Sequence, residues 1–415
     1  MDFKPLKSGA AHPILAQTDL PALAGGVPVR SRGNRIIFGA PLLGEAEVAS
    51  VAECIHSRWI GLGERVGRFE QEFAAYKQAS HAAAVSSCSA ALHLALIALG
   101  IKAGDEVIAP SMTFCSTIHA IVHAGATPVL VDCDRVTKNI VPSAIASSIS
   151  PRTRAVIVVH TCGRSCEMGA ILEIAQKHGL KVIEDCAHAI ETTYHGRPAG
   201  LLGDAGCFSF YPTKSITTGD GGMVISQQKE IIDRVKLLSY NGIATSTWTR
   251  FAEGAPGYEV IAPGFKYNMT DIEASLGLPQ IPLLEERWAQ RERLWSAYNQ
   301  QLDGLPLILP DTGDPESRHA YHLYTPLLRL EKLSVARQQI VAAMEAENIG
   351  VGIHYEPVHA QPYYRERLGY RDEDLPNASY VGARTISLPL SAGMTEVDVS
   401  DVCAALARIL HYYSA

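Results

Sequence analysis

Six short apolar runs constrain this chain more than any other feature. They are DEVIAP, TPVLVD, RAVIVVH, KVIED, AGCFSF and GMVIS, spread from residue 105 to residue 226 with turn signals between them. Each is nearly continuous rather than alternating, which predicts strands buried on both faces. Most are parted by stretches of helical composition such as MGAILEIAQKHGL. Short buried strands alternating with helices imply βαβ units, a mostly parallel central sheet and helices on its flanks. That is an α/β fold.

The rest of the chain is arranged around that sheet. Residues 1–35 read as a poorly ordered arm, 36–275 as the large sheet domain and 276–415 as a smaller C-terminal α/β domain. Val48, Val51, Ala52 and Ile55 recur at helical spacing and predict an amphipathic helix. Further helices are expected on RFEQEFAAYKQ and on ALHLALIAL after Ser89. After Pro279 the chain turns helical and charged. It then mixes a strand-like HLYTPLLRL with the helical VARQQIVAAMEAEN and VDVSDVCAALARIL. A net charge of −7 argues against a general nucleic-acid or membrane-surface binder. No apolar stretch reaches the roughly 18 residues a bilayer needs. MDFKPLKSGAAHPILAQ lacks the pattern of a signal peptide, so the expected location is cytoplasmic. The nine cysteines are scattered singly. Cys162 and Cys166 are a suggestive pair, but no second pair of metal spacing follows, so free thiols and no metal are expected.

Two glycine-rich readings fail on particular residues. A phosphate-binding P-loop needs Gly where FSFYPTKS has Phe208 and Thr213. GLGERVG at 61–67 places Val66 where a dinucleotide fingerprint needs its third Gly, and it follows a helix rather than a strand. A turn between helices is the plainer reading. Asp185 ends KVIED and belongs at the carboxyl edge of the sheet, where ligands of open α/β sheets bind. Alone it is equally a helix cap. Lys214 lies just past the next strand-like run, so the two side chains stand on neighbouring strand ends. Pyridoxal phosphate (PLP) needs such a pair. An amine forms a Schiff base with its aldehyde, and a carboxylate keeps its ring nitrogen protonated. Desolvation lowers a lysine's pKa and frees the amine to attack. The plainer alternatives are a surface lysine and, for GDGG at 219–222, a simple turn. SSCSAALHLAL supplies hydroxyls and backbone amides at a helix start, suited to a phosphate, although Ser89 as a mere N-cap fits equally. Phe114 either covers the cofactor ring or packs in the core.

At these residues the chain resembles the DegT/DnrJ/StrS family of sugar aminotransferases, which have the PLP-dependent transferase fold type I of aspartate aminotransferase. The likeness runs in order through SRWIGLG, SSCSAALHLAL, GDEVIAPSMTF, VIEDCAHA, FSFYPTKSITTGDGGM, FKYNMTDIEASLG and GIHYEPVHAQPYYRERLGY. The resemblance implies roles. Lys214 forms the internal aldimine and Asp185 pairs with the pyridinium nitrogen. His188 contacts the ring near its phenolic oxygen and Phe114 stacks on it. Cys88, Ser89, Ala90 and Ser209 surround the phosphate. Asn268 reaches the phosphate across a homodimer with shared active sites. His354, Tyr355 and His359 fall where relatives approach the sugar, and shaping a strand-to-loop turn is the alternative. Arg30, Arg32 and Arg35 fit either a nucleotide diphosphate or a solvated basic arm. Cys88 departs from the family's Gly and would be strained if that position requires φ > 0. HTCGRSCEM departs from the family's HxxGxPxDM in a loop expected to border the substrate.

The lysine separates transamination from the dehydration run by relatives with His at this place. The implied activity is ping-pong transfer of an amino group, from L-glutamate, to a 3- or 4-keto sugar linked to a nucleotide, through pyridoxamine phosphate (PMP). Alternatives are transamination of a free keto-cyclitol and a non-catalytic PLP-binding regulator.

Overall fold

The computed structural model describes residues 20–244 and 257–415. All six apolar runs form strands. In chain order the strands up to residue 226 are β1 (His81–Val85), β2 (Glu106–Pro110), β3 (Thr127–Val131), β4 (Thr153–Val159), β5 (Lys181–Asp185), β6 (Thr193–Tyr194), β7 (Arg197–Pro198), β8 (Ala205–Ser209) and β9 (Gly222–Ser226), and a short pair, Leu307–Ile308 with Leu327–Leu328, follows in the C-terminal part. β6 and β7 pair only with each other. The other seven form one sheet of order β1-β9-β8-β5-β4-β2-β3, in which β9 alone runs against its neighbours.

Both faces of the sheet are covered, which explains the continuous runs. On β4, Ala155 and Ile157 join one core with Leu92, Leu94, Ile118 and Val235 from helices. Val156 and Val158 turn the other way, onto Met168 and Ile171. Each fully buried Val or Ile contributes about 1.5–3 kcal/mol. β1 escaped the sequence reading because HAAAV has helical composition. It is held as a strand by antiparallel pairing of Ala82 with Ile225, and its small side chains pack beneath Phe69 and Phe73. A fourth core, around Trp295, Tyr298 and Tyr324, belongs to the C-terminal part of the chain. Ile36 reaches into it.

Two expectations change. The arm is ordered from residue 20 onward. The buried carboxylate of Glu347 accepts from the amides of Ala22 and Val29 at 2.9 and 2.8 Å. Arg30 pairs with Asp398 (2.9 Å) and Asp401 (2.8 Å), and Arg35 pairs with Glu345. These arginines dock the arm on the C-terminal part and are not spare cations; residues 1–19 lie outside the described residues. The Glu45–Ser57 helix forms as expected, but Val48 (63% exposed) and Ile55 (55%) face outward while Glu47 and Cys54 are buried. In GLGERVG, residues 61–63 are the turn after that helix, and ERVG opens the Glu64–Lys77 helix. The amide of Val66 donates to Asp271 Oδ1 at 3.0 Å, so a carboxylate of the chain already sits at this helix start. All nine cysteines are free thiols. Among the described residues no helix is long and apolar enough to cross a membrane.

Candidate active site

The carboxyl end of β5 and the turn after β8 bring Asp185 and Lys214 to one cleft of about 380 Å³. Lys214 sits in a turn closed by its amide donating to the Tyr211 carbonyl at 2.9 Å. Its ammonium has no hydrogen-bond acceptor among the described residues. Burial pulls its pKa down to about 8, against opposing effects from Cys88, Asp185 and Cys162. A useful fraction is therefore free amine near neutral pH. Asp185 is buried and followed by a turn, not a helix, so it caps no helix. Its Oδ1 accepts from the Ala187 amide (3.1 Å) and its Oδ2 from Thr117 Oγ1 (2.9 Å). Because Thr117 donates to Asp185, it must accept from Thr113 Oγ1, 2.7 Å away. Burial raises the Asp185 pKa, opposed by Ala187, Thr117 and Lys214. A desolvated carboxylate of this kind favours a cationic partner. The two threonines in PSMTFCST were not singled out in the sequence. Their spacing is ordinary, and only the fold places them on Asp185.

At the other end of the cleft β1 runs into the Cys88–Ala98 helix. Its N-cap is Ser87, not Ser89. The Ser87 hydroxyl accepts from the Ala90 amide at 3.1 Å, so that amide is already engaged. The amides of Cys88 and Ser89 have no acceptor among the described residues, and a helix start attracts anions. Ser89 Oγ donates to Ser116 Oγ at 2.8 Å, and Ser209 lines the same cleft. Cys88 has helical backbone without positive φ, so replacing the family's Gly strains nothing. The last glycine of GDGG has a definite task. A Cβ on Gly222 would lie 2.4 Å from the Ser87 carbonyl carbon, so only glycine lets β9 pass beneath this loop.

Aromatic and imidazole rings form the walls. Phe114 is 56% exposed and lines the cleft, so it is not a core aromatic. Tyr355 stands 5.9 Å from it, centroid to centroid. His188 is buried, and its Nδ1 accepts from the Cys162 amide at 3.3 Å. Burial and the charges of Lys214, His322 and His354 hold its pKa well below the usual value, so the ring is neutral. Its proton is therefore on Nε2 and is donated to Tyr355 Oη at 2.9 Å. Tyr355 thus stands between His188 and the cleft, with its own O–H left to donate. His354 also lines the cleft. It is stacked on Phe38, bonded through Nδ1 to Ser387 Oγ at 2.7 Å, and pushed down to about 3 by burial and Lys214. The HTCGRSCEM loop approaches the site through Cys162, whose amide donates to His188 and whose thiol lies near enough to Lys214 to influence its pKa.

Two expected residues are elsewhere. His359 is fully buried, with Nδ1 2.7 Å from Ser111 Oγ and Nε2 3.0 Å from Ser379 Oγ. It braces the turn rather than meeting a ligand in this cleft. Asn268 lines a separate groove with Val66 and Gly67, and its Oδ1 accepts from Lys266 Nζ at 2.6 Å.

A free amine, a desolvated carboxylate, an anion-attracting helix start and an open aromatic wall together fit PLP, and they mark a PLP-dependent α/β enzyme. The chain belongs to the DegT/DnrJ/EryC1/StrS aminotransferase family, whose model matches residues 41–407. It is 44% identical over 385 residues to the spore coat polysaccharide biosynthesis protein SpsC of Bacillus subtilis, covering 92% of this chain and 99% of that protein. Spr1654 from Streptococcus pneumoniae, solved in PLP and PMP forms, superposes with TM-scores of 0.85 and 0.86 at 26% identity, over 91% of this chain and 99% of that one. DesI, solved in the presence of its TDP-sugar product, superposes at 0.83 with 30% identity, covering 95% and 96% of the two chains. The protein is thus a PLP-dependent aminotransferase, with PMP as its intermediate cofactor form, in a family that transfers amino groups to sugars.

Proposed function

We propose that this enzyme moves the amino group of L-glutamate to the 3- or 4-keto group of a nucleotide-linked sugar with ping-pong kinetics. The observation that carries the reading is Lys214. It is an amine without an acceptor, held to about 8, in one cleft with the desolvated Asp185. The TDP-sugar named with DesI and the polysaccharide role named with SpsC support a sugar nucleotide as acceptor. When bound, PLP supplies an electron sink and a carrier for nitrogen. Lys214 Nζ anchors it and takes and returns the proton at the reacting carbon. Asp185 stabilises a proton on the ring nitrogen, with Thr117 and Ala187 fixing its orientation. The Cys88 and Ser89 amides with the Ser209 hydroxyl hold the phosphate, and Phe114 covers the ring face. Tyr355, oriented by His188, has its O–H free to donate and would offer it to a polar atom of the bound ring.

We also read the protein as a homodimer. Val48 and Ile55 form an outward apolar stripe beside exposed Ile60, and Asn268 lies away from its own chain's cleft. Sedimentation at micromolar concentration should give twice the chain mass; a monomer that turns over would end this reading. The functional test is an absorbance spectrum of the holoenzyme before and after L-glutamate, followed by nucleotide-linked keto sugar or free keto-cyclitol. Glutamate should bleach the lysine-bound cofactor band, and only the nucleotide sugar should restore it. Restoration by the cyclitol alone would refute the proposed acceptor.

A further inference from the structure

Lys214 lines two cavities. One is the cleft described above. The other is a small recess of about 30 Å³, room for one carboxylate group, walled by Thr213, Ser215, Gln280, Arg287, Arg291 and His322. We propose that this recess binds a carboxylate of the amino-acid donor on the guanidinium groups of Arg287 and Arg291. The inference rests on the aminotransferase reading and adds to it the site that selects the donor.

A donor that gives up its amine at Lys214 brings at least one carboxylate with it, and burying that charge requires a cation. Among the described residues lining either cavity, Arg287 and Arg291 are the only guanidinium groups, and Lys214 is the only ammonium. The two arginines lie one turn apart on the Leu284–Leu302 helix and are only 8% and 4% exposed. Like charges at that spacing repel, more so without water between them. Each has a partner behind the recess. Arg291 Nη2 donates to Glu191 Oε1 at 2.6 Å and to the Ala320 carbonyl at 3.3 Å. Arg287 is matched less well. Its Nη groups reach only neutral acceptors, Gln280 Oε1 at 3.3 Å and the Leu42 carbonyl at 3.0 Å, and its nearest carboxylate, Glu47, stands 3.7 Å off. Among the described residues the Nε atoms of both are buried without a partner, as is Oε2 of Glu191. Neither Glu47 nor Glu191 lines the recess, so the guanidinium groups face it while their carboxylate partners stand behind them. An anion between the two guanidiniums relieves their repulsion, and planar guanidinium matches carboxylate geometry.

The test titrates the PLP-loaded enzyme with succinate and with acetate by calorimetry, with thermal melting to confirm folding. Wild type should bind succinate in competition with L-glutamate; wild type that binds neither anion competitively overturns the inference without any variant. Arg287→Met should weaken succinate roughly tenfold or more, the loss of one charged hydrogen-bonded contact. It should raise the L-glutamate concentration needed for half-bleaching by a similar factor, with the lysine-bound cofactor band unchanged. Arg291→Gln alone strands buried Glu191, so it is paired as Glu191→Gln/Arg291→Gln, with the same expectation. If L-alanine weakens alongside glutamate, the α-carboxylate is the one bound; if glutamate alone weakens, it is the side-chain carboxylate. Folded variants that bind succinate and saturate with glutamate as wild type does overturn the inference and leave the aminotransferase reading intact. A wild type bleached by no amino acid overturns the reading beneath it.

Discussion

Two lysines in this molecule have the same depressed pKa and opposite surroundings. Lys77 is buried behind β8, its Nζ donating to the Ile190 carbonyl at 2.6 Å and lying 5.1 Å from the Phe208 ring centroid. Lys214 stands before the same strand, in the open cleft. Burial is the largest cause in both cases and brings both to about 8. A shifted pKa therefore does not mark the reactive amine. What separates the two is access and the absence of an acceptor: Lys77 has spent its donor on a carbonyl, while Lys214 has spent nothing.

The sharpest break of this comparison is to remove each lysine in turn. Lys214→Ala should lower amino transfer by at least about 10³-fold and abolish borohydride-stable attachment of PLP, with the fold intact by circular dichroism. Asp185→Asn should still attach PLP but slow turnover by roughly 10²-fold or more, measured as single-turnover bleaching by glutamate. The pH dependence sharpens the point. Uptake of PLP by apoprotein into a borohydride-reducible form should rise through about pH 8, because only the unprotonated Lys214 attacks. Lys77→Met should leave that profile alone and change stability instead. The folded pKa of Lys77 lies below its unfolded value, so the unfolded chain binds the extra proton between about pH 8 and 10.5. Stability gained with rising pH in that window, roughly 3 kcal/mol at most, should be missing in the variant on urea titration. A loss of catalysis in folded Lys77→Met would erase the distinction.

Much of the fold was legible, and the reason is burial. Strands covered on both faces must be continuously apolar, so β2, β3, β4, β5, β8 and β9 announced themselves. β1 did not, because alanine fits a helix as well as a tightly covered strand. The stripe Val48, Val51, Ala52 and Ile55 showed its spacing but not its direction; periodicity defines a face, not what covers it. Lys214, Asp185, Ser89, Ser209 and Phe114, singled out from strand ends, a helix start and family order, all line one cleft. His359 was misread, since a histidine in a loop motif looks the same whether it meets a ligand or two buried serines. Thr113, Thr117, Ser87, Arg287 and Arg291 were invisible, because each acquires its partner from a segment distant in sequence or from cap geometry.

The sequence by itself determined the α/β class, the strand ends that bear the lysine and the carboxylate, and the family that joins them to PLP. These are local patterns, readable from apolar runs and motif order. The tertiary structure decided which histidine is a brace and which orients Tyr355, and which buried lysine stays free. It also put two arginines behind Lys214. Hydrogen-bond saturation and desolvation are properties of the surroundings, and the surroundings exist only once the chain has folded.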